Sequence, residues 1–99
     1  MEDTIRESSQ AEMLKEQIQR VDEEMLIFLK RRIQTSKKLA EAVKKTNGDF
    51  TELDEFSDAL FKKATMKSKE MGIDTLVAHD LFALLDDECR KTQKKVFEK

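Results

Sequence analysis

Residues 14–32 read LKEQIQRVDEEMLIFLKRR, and this stretch decides the fold. Its apolar residues recur at alternating spacings of four and three, which is the spacing of a coiled-coil seam. The pattern continues to residue 42, a span of about four heptads. The seam positions are Leu14, Ile18, Val21, Met25, Phe28, Arg32, Thr35, Leu39 and Ala42. The spacing predicts one long amphipathic helix that packs against other helices.

Sequence signals mark both ends of this helix. Ser9 and Glu12 form an S-x-x-E capping box, which predicts that the helix begins directly after it. Thr46-Asn47-Gly48 is a typical helix stop. We therefore expect a flexible N-terminal segment over residues 1–10 and a single helical domain over residues 11–99.

Two shorter helices are predicted after residue 48. Thr51 with Asp54 is a candidate N-terminal cap for the second, and Asp74 is a candidate cap for the third. Met71-Gly72-Ile73-Asp74 separates the two. The apolar positions of the second helix are Leu53, Phe56, Leu60 and Ala64, and those of the third are Val77, Leu81, Leu84, Leu85, Thr92 and Val96. The predicted fold class is all-α with three helices.

The length of the first helix bears on assembly. Thirty-five residues, 11–45, would form a helix about 50 Å long. A compact chain of 99 residues has a diameter of roughly 33 Å. The helix therefore overshoots a single globule, and we expect an intertwined homodimer in which a second copy covers the remaining seam. The alternative is a three-helix monomer whose first helix is kinked or frayed.

Composition excludes several classes of protein. The chain is 40% charged and 38% hydrophobic, with two Gly and no Pro, which disfavours a β-rich fold. No apolar run is long enough to span a membrane. The net charge of −2 gives no global attraction to nucleic acid or an anionic membrane. The single cysteine and the polar first ten residues, without a signal-peptide core, predict a cytoplasmic location.

Arg32 occupies a seam position where an apolar side chain is expected. A buried guanidinium requires an anion or several acceptors, because an unpaired buried charge is costly. The structural interpretation is an ion pair with Glu88, or a side chain that extends to solvent. The functional interpretation is an anion site in which Arg32 binds a ligand carboxylate. The pattern alone leaves both open.

Residues 14–32 resemble the first helix of the all-α chorismate mutases, also called chorismate mutase type II. That family opens with a basic residue, an Ile-x-x-Ile/Leu-Asp pattern, a Leu-rich run and an Arg. The third helix continues the resemblance with Leu81-Phe82 and, eleven residues after Phe82, Gln93. The resemblance covers about residues 11–95.

The resemblance implies an intertwined dimer that rearranges chorismate, a small dicarboxylate, to prephenate without cofactor or metal. Arg32 then corresponds to the carboxylate-binding Arg of the same chain, and Lys15 to the cation lent by the partner chain. Gln93 corresponds to the Gln that contacts the ether oxygen. Cys89 stands at a small polar position of the binding site, and Lys44 is the candidate for the catalytic Lys.

The sequence also departs from the family pattern. In ungapped register the family's catalytic Lys falls on Val43, so Lys44 is one residue late. The second helix lacks the family's Arg, since there is no Arg between residues 33 and 89. The expected activity is therefore a reduced one. Two alternatives stay open: a catalytically inactive dimer with a binding or regulatory role, and an enzyme of the isochorismate-pyruvate lyase type.

Other residue patterns in the chain give weaker indications of function. His79 and Cys89 are ten residues apart on one predicted helix, or about 15 Å, so they cannot form a thiol–base pair within a chain. One His and one Cys do not make a zinc site. The basic clusters near residues 37–45 and 90–95 alternate with acids at favourable helical spacing, which indicates a solvated surface rather than a nucleic-acid site.

Overall fold

The chain forms three α-helices in the part that the structure describes. The computed structural model describes the backbone of residues 2–98 and the side chains of residues 9–98. The helices are α1 (Glu2–Lys45), α2 (Phe50–Glu70) and α3 (Thr75–Glu98), with no β-strand over the described backbone. This confirms the all-α class with one long and two shorter helices. Among the described residues, no helix has an apolar stretch that would cross a bilayer.

The chain divides into two compact units, Met1–Arg31 and Arg32–Lys99. The first unit belongs to α1, and all of its described side chains, residues 9–31, are exposed. Because α1 begins at Glu2, the predicted helix start after Ser9 is wrong. No Pro or Gly precedes Ser9 to stop the helix, and a serine inside a helix costs little. The flexibility of residues 1–10 stays a prediction.

The second unit contains a small hydrophobic core drawn from all three helices. Its buried centre consists of Ala40, Val43, Leu53 and Val96, and three half-buried side chains pack against it, namely Leu39, Phe50 and Phe97. The rings of Phe50 and Phe97 meet edge to face, with centroids 5.8 Å apart. The core therefore joins the end of α1, the start of α2 and the end of α3.

The end of α1 is a Schellman motif. Asn47 adopts a left-handed conformation with φ of 62°. The amide of Gly48 donates to the carbonyl of Val43 at 2.9 Å, and that of Asn47 donates to Lys44 at 3.2 Å. These two bonds satisfy carbonyl groups that the helix end leaves without partners. The predicted stop at residues 46–48 is confirmed.

Aspartates cap the two shorter helices. The Asp49 carboxylate accepts hydrogen bonds from the amides of Thr51 and Glu52, so the prediction of Thr51 as the cap is wrong. Asp49 lies two residues earlier and offers a charged acceptor to the positive end of the helix. Asp74 caps α3 as predicted, accepting from Leu76 at 2.9 Å and Val77 at 3.2 Å.

The turn between α2 and α3 repeats the Schellman pattern with glycine. Gly72 has φ of 76°, a conformation that favours glycine. Its amide donates to Lys69 at 3.1 Å, and the amide of Ile73 donates to Ser68 at 2.9 Å. The turn ends α2 and places Asp74 in position to start α3.

Gly48 tests how tightly the end of α1 packs on the core. A Cβ added at Gly48 would lie 2.6 Å from Cγ1 of Val43 and 3.1 Å from the Val43 carbonyl oxygen. We expect Gly48→Ala to lower the free energy of unfolding by about 1–3 kcal/mol, because the buried Val43 leaves no space. Urea unfolding at one fixed protein concentration measures this.

The matched control is Gly72→Ala, whose Cβ would have no neighbour within 4 Å. Its cost of about 1 kcal/mol comes from the backbone alone and should not change when Val43→Ala is added. Adding Val43→Ala to Gly48→Ala should relieve the clash, so the double variant should lose less unfolding free energy than the sum of the two single variants. Strictly additive effects at Gly48 and Val43 would contradict the packing described.

Candidate functional site

Arg32 lies on α1 at the start of the second unit, and its side chain is half-buried. Its guanidinium donates to Oγ of Ser36 at 2.7 Å and to Sγ of Cys89 at 3.5 Å. Neither partner is a carboxylate. The ion pair with Glu88 that one interpretation of the sequence offered is not formed, because none of the salt bridges of residues 9–98 includes Arg32. The guanidinium is therefore held in position without an ion pair to a carboxylate of residues 9–98.

Gln93 follows Cys89 by one turn of α3 and is 4% exposed. Its Nε2 donates to the backbone carbonyl of Ser36 at 3.1 Å. Its buried Oε1 accepts no hydrogen bond from the described residues. A buried acceptor without a donor costs about 1–3 kcal/mol. The amide is therefore fixed at one end and has acceptor capacity at the other.

The residues Arg32, Ser36, Cys89 and Gln93 form one group, which we call the Arg32 cluster. Ser36 connects its members, since its hydroxyl accepts from Arg32 and its carbonyl accepts from Gln93. Ser36 and Cys89 are 3% and 2% exposed, so the connection is buried. The structure thus brings together three of the predicted site residues, and it adds Ser36, which lies one turn after Arg32 and was not singled out in the sequence.

Lys44 lies outside the Arg32 cluster. Its Nζ donates to the backbone carbonyl of Val96 at 3.0 Å, and its side chain lines a cavity of about 440 Å³ together with Lys37, Glu41, Lys45 and Val96. α1 is α-helical throughout Glu2–Lys45, without a bulge that would shift the register. Val43, at the position where the family pattern has its Lys, is 8% exposed in the core. The catalytic role of Lys44 stays a prediction that this placement does not favour.

Lys15 belongs to the first unit. Its Nζ lies 3.0 Å from Oε1 of Glu12, and both side chains are 70% exposed. An exposed pair at this spacing contributes little to stability and exchanges readily with other partners. The substrate-binding role of Lys15 depends on a second chain and stays a prediction.

Arg90 forms a network of ion pairs that the sequence predicted only in part. Its guanidinium contacts Asp54 at 3.1 Å, Asp58 at 2.8 Å and Asp86 at 3.0 Å. Only the pair with Asp86 follows from helical spacing. Asp54 and Asp58 are one turn apart on α2, and this spacing was the available signal that they face one partner. Arg90 is paired with carboxylates, in contrast to Arg32, although its buried Nε makes no hydrogen bond with the described residues.

A cavity of about 110 Å³ lies beside Arg32 within the second unit. α2 contributes Ser57, Leu60, Phe61 and Ala64, and α3 contributes Phe82 and Asp86. Phe61 is held from outside by the ring of His79, with centroids 5.1 Å apart. This contact places His79 on the surface, well separated along α3 from the buried Cys89, as the spacing of the two residues predicted.

The comparisons with known proteins concern nearly the whole chain. The family model of chorismate mutase type II matches residues 14–94. No curated protein and no solved structure gives a significant match. The matched range includes the seam of α1, all of α2 and α3 as far as Lys94. The chain therefore belongs to the chorismate mutase type II family.

Proposed function

We propose that this protein binds chorismate, or a close relative of it, and rearranges it at a rate below that of a complete chorismate mutase site. The observation that carries the proposal is the state of Arg32, a half-buried guanidinium held by Ser36 and Cys89 without a carboxylate partner. A ligand carboxylate offsets the cost of this charge by forming charge-assisted hydrogen bonds.

The Arg32 cluster supplies the chemistry that a pericyclic rearrangement needs. The reaction requires no covalent intermediate, so the protein contributes orientation and stabilisation of developing charge. Arg32 anchors one carboxylate of the substrate. The Gln93 amide, buried beside it, donates to the ether oxygen as negative charge develops there, after Nε2 leaves the Ser36 carbonyl.

The reduced rate follows from two cationic groups of the family pattern that are missing at their usual positions. Val43 occupies the position of the family's catalytic Lys, and α2 offers no Arg. Loss of one preorganised donor costs about 100–1,000-fold in rate. Lys15 of a second copy is the remaining source of a second cation for the dicarboxylate.

The homodimer is part of this proposal. Along the seam of the first unit, Leu14, Ile18, Val21, Met25 and Phe28 are between 49% and 62% exposed. Monomeric proteins seldom leave contiguous apolar patches of more than a few hundred Å² in water. The spacing of the seam matches the packing of helix against helix, and a second copy of the same chain presents the same seam in the same length.

A second candidate function is binding without turnover, in which the dimer retains a carboxylate site and lacks the reaction. The specific observation in its favour is the direction of Lys44, whose ammonium is engaged by the Val96 carbonyl. Such a protein would bind chorismate through Arg32 and release it unchanged.

Arg32→Met separates these functions from a purely structural role for Arg32. We expect kcat/KM for chorismate to fall about 100-fold or more, because the anchor of the substrate carboxylate is lost. The loss of chorismate absorbance at high protein concentration measures the rate. Arg20→Met, on the exposed first unit, is the matched control and should keep the rate. Equal rates in the wild type and Arg32→Met would place the site elsewhere, and no rate in the wild type leaves binding as the function.

Light scattering tests the homodimer. We expect a particle of twice the 11.6 kDa of one chain. Ile18→Glu should weaken or abolish this dimer, because it places a charge on the seam. Gln19→Glu adds the same charge one residue away from the seam and should leave the mass unchanged. A wild-type protein that is folded by circular dichroism and has the mass of one chain would contradict the model of a shared seam.

A further inference from the structure

The guanidinium of Arg32 is held at one end only. Both of its contacts start at Nη1, which donates to Oγ of Ser36 at 2.7 Å and to Sγ of Cys89 at 3.5 Å. An Nη group carries two protons, so these two contacts use both of them. The remaining N–H groups, on Nε and Nη2, make no hydrogen bond or ion pair within residues 9–98. The edge between Nε and Nη2 is therefore the one that can bind a carboxylate through two parallel hydrogen bonds.

The hydroxyl of Ser36 differs from other helical hydroxyls of this protein. Ser68 and Thr92 each donate to the carbonyl four residues earlier, at 2.7 Å and 3.1 Å, which is the usual local bond of a hydroxyl in a helix. The Ser36 hydroxyl instead accepts from the side chain of Arg32, one turn earlier on α1. Serine favours a helix less than alanine does, and Ser36 is 3% exposed. The contact with Arg32 therefore explains this buried hydroxyl better than helix formation does.

We propose that Ser36 is a positioning residue of the site. Its hydroxyl fixes the Nη1 end of Arg32, so that the edge between Nε and Nη2 is oriented for the substrate carboxylate before the substrate binds. Its backbone carbonyl holds Nε2 of Gln93 at 3.1 Å, so one residue fixes both groups relative to each other. Groups that are oriented in advance lose less freedom on binding. The role in substrate binding rests on the proposed function, whereas the orientation of Arg32 does not.

The rotation of the Arg32 guanidinium tests this orientation without any ligand. The nitrogen-15 resonances of the arginine side chains are followed in the wild type, Ser36→Ala and Ser68→Ala. We expect the guanidinium of Arg32 to rotate at least about threefold faster in Ser36→Ala, because Nη1 loses the shorter of its two hydrogen bonds. Ser68→Ala removes the same atom from a buried serine outside the Arg32 cluster and should leave this rate unchanged.

Chorismate kinetics test the effect on substrate binding. Ser36→Ala should raise KM about tenfold and change kcat by less than about threefold, because Arg32 binds the carboxylate equally in the ground state and in the transition state. The dissociation constant of chorismate takes the place of KM if the protein binds without turnover. Ser36→Thr retains the hydroxyl and should keep KM within about threefold of the wild-type value. If Ser36→Thr does not fold, the two alanine variants decide the question.

The outcomes separate this inference from the proposed function. Equal rotation of Arg32 in the wild type and Ser36→Ala would overturn the role of Ser36 whatever the activity. Faster rotation with an unchanged KM would also overturn it, as would a fall in kcat alone, which indicates a smaller folded fraction. Faster rotation with a raised KM would support it. Faster rotation in a protein that neither converts nor binds chorismate would support the orientation of Arg32 by Ser36 and count against the proposed function.

Discussion

The structure depends on one unusual placement, a guanidinium at an apolar seam position of α1. Arg32 is held by Ser36 on its own helix and by Cys89 on α3, and neither contact is with a carboxylate. The protein contains a natural comparison in Arg90, which contacts three carboxylates. Arg90 ties α2 to α3 and is neutralised within the fold. Arg32 connects α1 to α3 and has no carboxylate partner within residues 9–98, which is the property expected of a group that binds an anion.

Periodicity and turn chemistry predicted most of the fold. The alternating spacing of four and three gave α1, and Thr46-Asn47-Gly48 and Gly72 marked its end and that of α2. The predicted caps were less reliable. Thr51 was favoured although Asp49 stands two residues before it, because several residue types cap helices and the pattern does not rank neighbours. Ser9 failed as a helix start because a capping signal does not prevent a helix from continuing through it.

The candidate site could be predicted only where a local anomaly or the family resemblance pointed to it. Arg32 breaks the seam, and the resemblance added Cys89 and Gln93, which the fold places in one cluster. Contacts between helices could not be predicted from the sequence. The link through Ser36, the Arg90 network and the cavity walls Phe61 and Phe82 join residues far apart in sequence. Lys44 stays one residue past the family's Lys position, because α1 has no bulge and Val43 at that position is packed in the core.

The availability of the Arg32 charge can be observed directly through the nitrogen-15 resonances of the arginine side chains. Chorismate is added to the wild-type protein while the guanidinium signals of Arg32 and Arg90 are followed. A carboxylate bound to Arg32 shifts its signals and slows the rotation of its guanidinium, and the signals of Arg90 stay in place because its contacts are already made. Unchanged Arg32 signals at saturating chorismate, or shifts confined to Arg90 and the lysines, would contradict the assignment of Arg32 as the anchor.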